Sequence, residues 1–541
     1  MGNSSLFRGT AAGISSSLGS IRSVRIPFLF EPSFRPGVDK TKDARFVNCY
    51  FDPMSIPVLG DTKYWLTKRP GYYQLIWPVP SVVATALVGS TTYTIKTIGN
   101  TDFTLIGATA NTVGLVFTAS GAGTGTGTAV PYTQARGIIS WTGDVYSVFG
   151  NKIYKNTTDL GVTLAGTTGR CGLSFTRPGA ANQYVCVNDG VKLYCIAATS
   201  GTVTTVTTNF PTPNTGDFIY KDGYFFVLKS DNTLWSCELD DPTTWDPTKW
   251  ITSQMLNSSG VGLANQTNVM FVFGTTSFQA FYDNANATGS PMNNNEAAMQ
   301  QIGCAAQGSI VSDEAVVTWV SNTTTGSNSV YTLDGITGVR EIGYPALNRL
   351  IRSENTDVSK IYAKMIRTAG RRFYLLQLPT QNKRTFVYDY DTNLWVEWEN
   401  AAGTDIFPLF DSYQHLGTLI FQHPQNGWIY TVDQSVNQDD ATNFTVLARF
   451  NRFDFDTVAR KFVQRINLIG DKQTSTCNVS LQYSDDDYIT LSTARTLDMS
   501  LTRSFCSNLG NFRRRSWQIS YAGNTPLRVE ALEMKVRLGD D

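Results

Sequence analysis

Side chains able to run acid–base or metal chemistry are scarce in this sequence and poorly grouped. Two histidines, His415 and His423, stand on either side of the apolar run Thr418–Phe421. A shared metal would need a third ligand at a recognisable spacing, and none stands there, so both are expected to be structural. The GxSxG elbow, the HExxH zinc helix and the GxxxxGK[ST] phosphate loop are all absent. Gly121 and Gly123 have the first spacing of a dinucleotide loop, but position 126 is Thr126, and AVPYTQ follows where a helix should open. Asp485-Asp486-Asp487 lacks the spacing and glycine of an EF-hand loop. Arg513-Arg514-Arg515, just before Trp517, is the dense basic cluster of the last hundred residues; a solvated strand start or salt bridges outweigh phosphate contact. Trp141, Trp235, Trp245, Trp319 and Trp395 could make sugar platforms beside turn carboxylates, yet packing between sheets uses the same side chains. No catalytic, cofactor-binding or metal-ligating residue is assigned, and the expectation is a protein that is not an enzyme.

Composition points the same way. Lys plus Arg and Asp plus Glu both number 44, so no net charge draws the chain toward nucleic acid or anionic lipid. Charged residues make up 16%, while 45 glycines and 12% aromatics give a mixture of strand formers and turn formers. No run of 18 apolar residues occurs. The segment MGNSSLFRGT lacks the apolar core of a secretory signal, and Leu6 stands where a myristoylation signal needs Ser or Thr. The eight cysteines form no CxxC pair, so buried free thiols and synthesis in the cytoplasm are expected.

The elements that would position any site are hairpins. Asp222–Trp245 sets the pattern: Asp222-Gly223 turns the chain, Tyr224–Leu228 is an aromatic strand, Ser230-Asp231-Asn232 reverses it, and Leu234–Leu239 returns. Relatives begin at Asp144, Asn182, Gly223, Asn268, Glu314, Arg371 and Gly417, spaced 38 to 57 residues apart. A period near 45 with this much strand is what propeller blades require. The Asp-to-Trp ending of Asp241–Trp245 returns at Asp391–Trp395, where the Asp would cap a turn and the Trp pack between sheets. An all-β fold is therefore expected: a β-propeller of six or seven blades over 131–440, against a large irregular sandwich as the alternative. Around it stand an N-terminal arm (1–36) with the apolar run Ile26–Phe30, β segments joining the propeller (37–81), a small Thr/Gly-rich β insertion (82–130) and a C-terminal β-sandwich (441–541). PALNRLI and VSKIYAKMI, within 343–370, read as the main helical material.

The ordered blocks RFVNCY (from Arg45), KRPGYY (from Lys68), SCELDDPTTWDP (from Ser236), FVFGTTSFQAFYD (from Phe271) and QQIGCAAQGSIVSDEAVVTWV, with Gly303-Cys304-Ala305-Ala306 as its most diagnostic part, are followed by YPALNRLI. Jointly they resemble the tail hub proteins of short-tailed bacteriophages, also called nozzle or packaged-DNA stabilisation proteins. The resemblance covers about residues 40–435. The insertion departs from the simpler hub pattern and is similar to small modules of other phage virion proteins. The resemblance implies a virion tail protein, made in the host cytoplasm, that forms a homohexameric ring below the portal and the tail adaptor protein. Such a ring extends the DNA channel, retains packaged DNA and anchors needle, spike or fibre proteins, with no membrane span and no cofactor. The competing class is a propeller that binds or cleaves glycans.

Overall fold

A computed structural model of the chain describes residues 21–26, 45–54, 63–180, 182–254, 258–286, 288–314, 316–326, 328–354, 358–450, 452–455 and 457–539. The expected arm falls outside these residues except for the strand Ile21–Ile26, which pairs antiparallel with Arg528–Leu538. The rest of the apolar run to Phe30 also lies outside them. The chain divides into two compact units: Tyr72–Thr385 with Ile406–Asp433, and Met1–Gly71 with Phe386–Asp405 and Gln434–Asp541.

The first unit is a seven-bladed β-propeller with a small added module. Blade one is Ala135–Trp141, Asp144–Phe149, Lys152–Lys155 and Thr158–Thr163, in that order from the axis outward. Blade two runs Gly172–Phe175, Tyr184–Asn188, Leu193–Ala197, Val203–Val206, and blade three Ile219–Lys221, Tyr224–Leu228, Thr233–Glu238, Asp241–Thr252. Blade four is Gly260–Asn265, Met270–Gly274, Phe278–Asp283 and Met292–Gln300. In blade five Gly303–Cys304 and Val311–Asp313 both pair with Val316–Asn322, and Val330–Asp334 and Gly338–Glu341 follow. Blade six starts with Tyr362–Thr368 paired to Arg371–Leu378. Blade seven is Asp411–His415, Thr418–Gln422, Ile429–Asp433 and, outermost, the early strand Gly71–Ile76.

The inner strands follow one another round a closed circle, Asp411–His415 packing beside Ala135–Trp141. Closure is hydrogen-bonded: the NH of Gly137 donates to Gln422 Oε1 at 3.1 Å, and Gln422 Nε2 donates to the carbonyl of Val148 at 3.2 Å. Tyr72, from the early strand, lies edge-on to Phe421 and Tyr430, both 5.2 Å away. A strand from before the first blade thus completes the last, which ties the ring shut with non-local pairing. The expected six or seven blades resolve as seven.

Four of the repeats begin the way they do for a local reason. Thr142-Gly143, Asp222-Gly223, Ala369-Gly370 and Leu416-Gly417 all have positive φ at both positions, the two-residue turn whose twist matches that of the flanking strands. These turns join the first to the second strand in blades one, three, six and seven. Between blades, aromatic and sulfur side chains fill the wedge. Trp245 is 3% exposed, lies edge-on to Phe210 at 5.2 Å and shares a core with Cys195, Phe225 and Cys237, while Asp241 accepts from the NH of Thr243. In the second echo Trp395 is buried against Tyr388, but the turn is capped by Asp389, which accepts from the NH of Asp391.

Of the two expected helical runs, one is helical. Pro345–Ser353 is a helix with Pro at its first turn and Ala346, Leu347, Leu350 and Ile351 buried. VSKIYAKMI is instead a single 3-10 turn, Val358–Lys360, leading into the innermost strand of blade six. Its apolar residues fit either period, and seven paired residues against Arg371–Leu378 decide it.

Residues 82–130 form a separate four-stranded sheet ordered Val82–Val83, Thr128–Pro131, Thr92–Thr97, Val116–Thr118. Its own small core contains Tyr93, Ile95, Phe103, Ile106 and Phe117. Gly127 is obligatory there, since a Cβ would lie 2.5 Å from the carbonyl oxygen of Ile98.

The second unit is a β-sandwich of two sheets. One holds Cys49–Met54, Lys63–Lys68, Arg528–Leu538, Lys461–Gly470 and Ser504–Ser507; the other holds Leu394–Trp398, Phe46–Val47, Val446–Arg449, Ser516–Tyr521, Asn478–Ser484 and Arg495–Asp498. Early residues are thus built into it: Phe46 lies edge-on to Phe51 and Phe450, 5.1 and 6.0 Å away.

Candidate functional site: the filled axis of the propeller

The centre of a propeller is where its loops converge, and here the chain fills it. The 3-10 turn Gln307–Ser309, part of the GCAAQGSI block, enters the axis from blade five. Arg170, just before blade two, donates from Nη1 to the carbonyl of Gly308 at 3.0 Å, and its Nη2 lies 3.7 Å from Asp411 of blade seven. Lys364 of blade six sits 2.5 Å from the same carboxylate, which also accepts from the NH of Ile138 in blade one. Gln307 Nε2 donates to the carbonyl of Thr215, ahead of blade three, at 2.6 Å, and the NH of Leu263 in blade four donates to Asp217 at 2.8 Å. Tyr374 of blade six donates its hydroxyl proton to the carbonyl of Ser309. Groups from all seven blades, or from the turns that lead into them, therefore join in one network of side-chain and backbone bonds at the axis.

Glycine makes this approach possible. A Cβ on Gly262 would lie 2.6 Å from Asp217 Oδ2, and one on Gly137 would lie 2.3 Å from Leu173 Cδ1. Charge is balanced locally: the cations Arg170 and Lys364 face the carboxylates Asp411 and Asp217.

The two carboxylates titrate in opposite directions. Burial opposes the charge of Asp411, but Lys364 and Arg170 outweigh it and hold its pKa below the ordinary carboxylate range. Burial pushes Asp217 up to about 6 against the NH of Leu263, Gln307 and the more distant Arg170. A carboxyl whose folded pKa is raised binds more protons folded than unfolded, so its contribution falls as pH rises from about 4 to about 6. Asp217→Asn is expected to flatten that part of the stability-versus-pH curve, by up to about 3 kcal/mol. Urea midpoints of both proteins from pH 4 to 8 check this, and parallel curves would contradict it. Asp411→Asn acts the other way, destabilising above about pH 4 and little below.

The residues singled out by sequence have other employment. His423 is half-buried, its ring accepting from the NH groups of Gln425 and Asn426, and burial pushes its pKa down to about 4. His415 pairs with Ser140 at 2.8 Å. No group of three or more His, Cys, Asp or Glu side chains suited to a metal occurs among the described residues. Arg515 is buried, doubly bonded to Asp485, and stacked 3.6 Å from the Tyr483 ring centroid. Arg514 and Arg452 both pair with Asp487, and Asp486 caps its own turn through Thr490 and Ser484. The basic and acidic triplets thus meet each other in the sandwich. Trp141, Trp245, Trp319 and Trp395 are buried; Trp235 is half-buried and stacks on Trp250. Gly121–Gly127 belongs to the module's turns. The axial residues Arg170, Lys364, Asp217 and Asp411 carry no local sequence signal, because only ring closure brings them together.

The GCAA block has a packing explanation. The backbone of Thr275 and Thr276 passes so close that a Cβ on Gly303 would lie 2.3 Å from it; Trp319 Nε1 donates to the carbonyl of Gly303, and Cys304 Sγ to that of Ala306. The family model described as bacteriophage P22 Gp10, β-propeller, of the phage stabilisation proteins, matches residues 105–437. The chain belongs to that family. The match takes in the GCAA block, the axial turn and all seven hairpins of the repeat; the RFVNCY and KRPGYY blocks precede it. No curated protein matches the chain. Among solved structures, a streptogramin B lyase is 12% identical with a TM-score of 0.37, covering 56% of this chain and 94% of that one. BamB from Moraxella catarrhalis is 11% identical with a TM-score of 0.36, covering 68% of this chain and 99% of that one. Neither likeness bears on function.

Proposed function

We propose that this P22 Gp10-family chain is a structural protein of a short phage tail, and that copies of it, six by the family resemblance, form a ring. The ring extends the DNA channel below the portal and adaptor, retains the packaged genome and anchors the distal needle, spike or fibre proteins. Family membership over residues 105–437 supports the tail assignment. The single observation that carries the mechanical reading is the axis bridged by Arg170 from blade two to blades five and seven. A duplex cannot thread a propeller filled in this way, so the passage lies between copies. Each propeller then acts as a stiff wall segment, and a chain with equal numbers of acids and bases exerts no strong net electrostatic pull on the DNA that passes. The chemistry asked of the protein is packing, not bond-making, which makes it a non-enzyme. Packaging in the absence of this chain tests the proposal: heads are expected to fill and then lose their DNA, with full infectivity restored by adding the purified protein. Stable, DNA-filled, infectious particles without it would overturn the proposal.

A further inference from the structure

The two middle strands of blade two, Tyr184–Asn188 and Leu193–Ala197, place Cys186 directly opposite Cys195. Their Sγ atoms are 3.3 Å apart. Of the cysteines on paired strands, these two are register partners of each other, while the rest face other residue types. The kind of pair matters. Asp189 donates its NH to the carbonyl of Lys192 at the turn of this hairpin, and Ala198 donates to that of Gln183 at its open end. Hydrogen-bonded and non-hydrogen-bonded pairs alternate along antiparallel strands, so counting inward from either end makes Cys186–Cys195 a non-hydrogen-bonded pair. Cα atoms of such pairs lie about 4.5 Å apart, within the span a disulfide bridges, and both side chains leave the same face of the sheet. The turn is held as well. Asp189 accepts from the NH groups of Val191 and Lys192, and Gly190 supplies the positive φ. The strands therefore keep the two sulfurs facing each other without further ordering.

Both thiols are fully buried in the wedge between blades two and three, in a core that includes Phe218, Phe225 and Cys237. Cys237 has other partners: its Sγ accepts from the NH of Phe225 and donates to the carbonyl of Glu238. Burial, reinforced by Cys195 and Cys237, pushes the Cys186 thiol up, so thiolate is scarce and the pair reacts slowly.

We propose that Cys186 and Cys195 are a latent redox pair, which hydrogen peroxide converts into a cross-strand disulfide that staples the centre of blade two. In the first step one sulfur attacks a peroxide oxygen and the O–O bond breaks. The departing hydroxide takes the thiol proton and leaves as water, and a sulfenic acid remains. In the second step the opposed sulfur attacks the sulfenic sulfur, the S–O bond breaks, and a second water leaves with the other thiol proton. Two thiols thus lose two electrons to one peroxide. Because the partner sulfur is already in contact, it traps the sulfenic acid before the irreversible acids form. The inference concerns a single chain and is independent of the ring reading.

Peroxide treatment of the full-length protein, followed by tryptic mass mapping without reduction, tests it. Lys192 lies between the two cysteines, so trypsin releases them in separate peptides. The expected product joins those two peptides, two hydrogens lighter than their sum, and dithiothreitol separates it. The oxidised protein is expected to melt about 3 °C above its reduced form. Cys195→Ala is expected to lose both the product and the shift, measured against its own reduced form so that a weaker fold does not mimic the effect. Sulfinic or sulfonic acid at either cysteine of the wild type, or a bond from either to Cys237, would overturn the pairing. So would free thiols after the treatment is repeated in urea below the unfolding midpoint. A joined product that melts no higher would overturn the staple.

Discussion

Arg69→Ala is expected to cost about 3–5 kcal/mol, because it breaks an ion pair buried in the sandwich. Arg69 is 1% exposed and sits where three separate chain segments meet. Its guanidinium donates twice to Asp439, at 2.8 and 2.6 Å, once to Asn48 Oδ1 and once to the carbonyl of Glu399, and lies 3.8 Å from the Phe444 ring centroid. Burial already pushes the Asp439 carboxyl up, with Arg69 opposing. Removing the cation therefore strands a carboxylate that has no access to water. Arg69→Lys should rescue little, since a single ammonium cannot reach three differently placed acceptors. The double replacement Arg69→Met with Asp439→Leu should be milder than Arg69→Ala, because no charge is left behind. Urea denaturation of the four proteins measures this. A loss below about 1 kcal/mol for Arg69→Ala, within the range of a surface pair, would refute the reading.

Gly303→Ala is expected to cost about 3 kcal/mol or more although it adds one methyl group. The new Cβ would fall 2.3–2.4 Å from the backbone of Thr275 and Thr276, which cannot swing aside as a side chain can. Blades four and five would have to part, and with them the Trp319 hydrogen bond to the Gly303 carbonyl. Ala305→Gly, two residues along the same block, is the control. Thermal unfolding that is unchanged by Gly303→Ala would show that the block serves something other than close packing.

The propeller was legible in the sequence because its repeat is local. The x-Gly turns with two positive φ values mark four of the blades, and in all seven the apolar runs and polar turns need only about ten residues to declare themselves. Closure was not legible. Gly71–Ile76 joins Ile429–Asp433 across more than 350 positions, and no short-range pattern encodes such a pairing. The same applies to the sandwich, where RFVNCY and KRPGYY supply Arg45, Asn48 and Arg69 to a knot completed by Glu397, Glu399 and Asp439. Punctuation such as Pro70-Gly71 marks those blocks in the sequence, but the groups they bond lie hundreds of residues away and only the fold brings them in. VSKIYAKMI misled because lysine and alanine favour helix locally while strand pairing overrode them. The axial cluster carries no local sequence signal for a related reason, and neither does the exposure of Trp77 and Trp250. A tryptophan reads alike in sequence whether it fills a wedge, as Trp319 does, or faces water.

Electron cryomicroscopy of an intact tail tests the central claim most directly. The claim predicts a closed ring of copies of this chain around a single lumen between the propellers, each propeller axis filled at Arg170, Asp411 and Gln307. A solitary copy, or DNA density passing through the axis of an individual propeller, would contradict it.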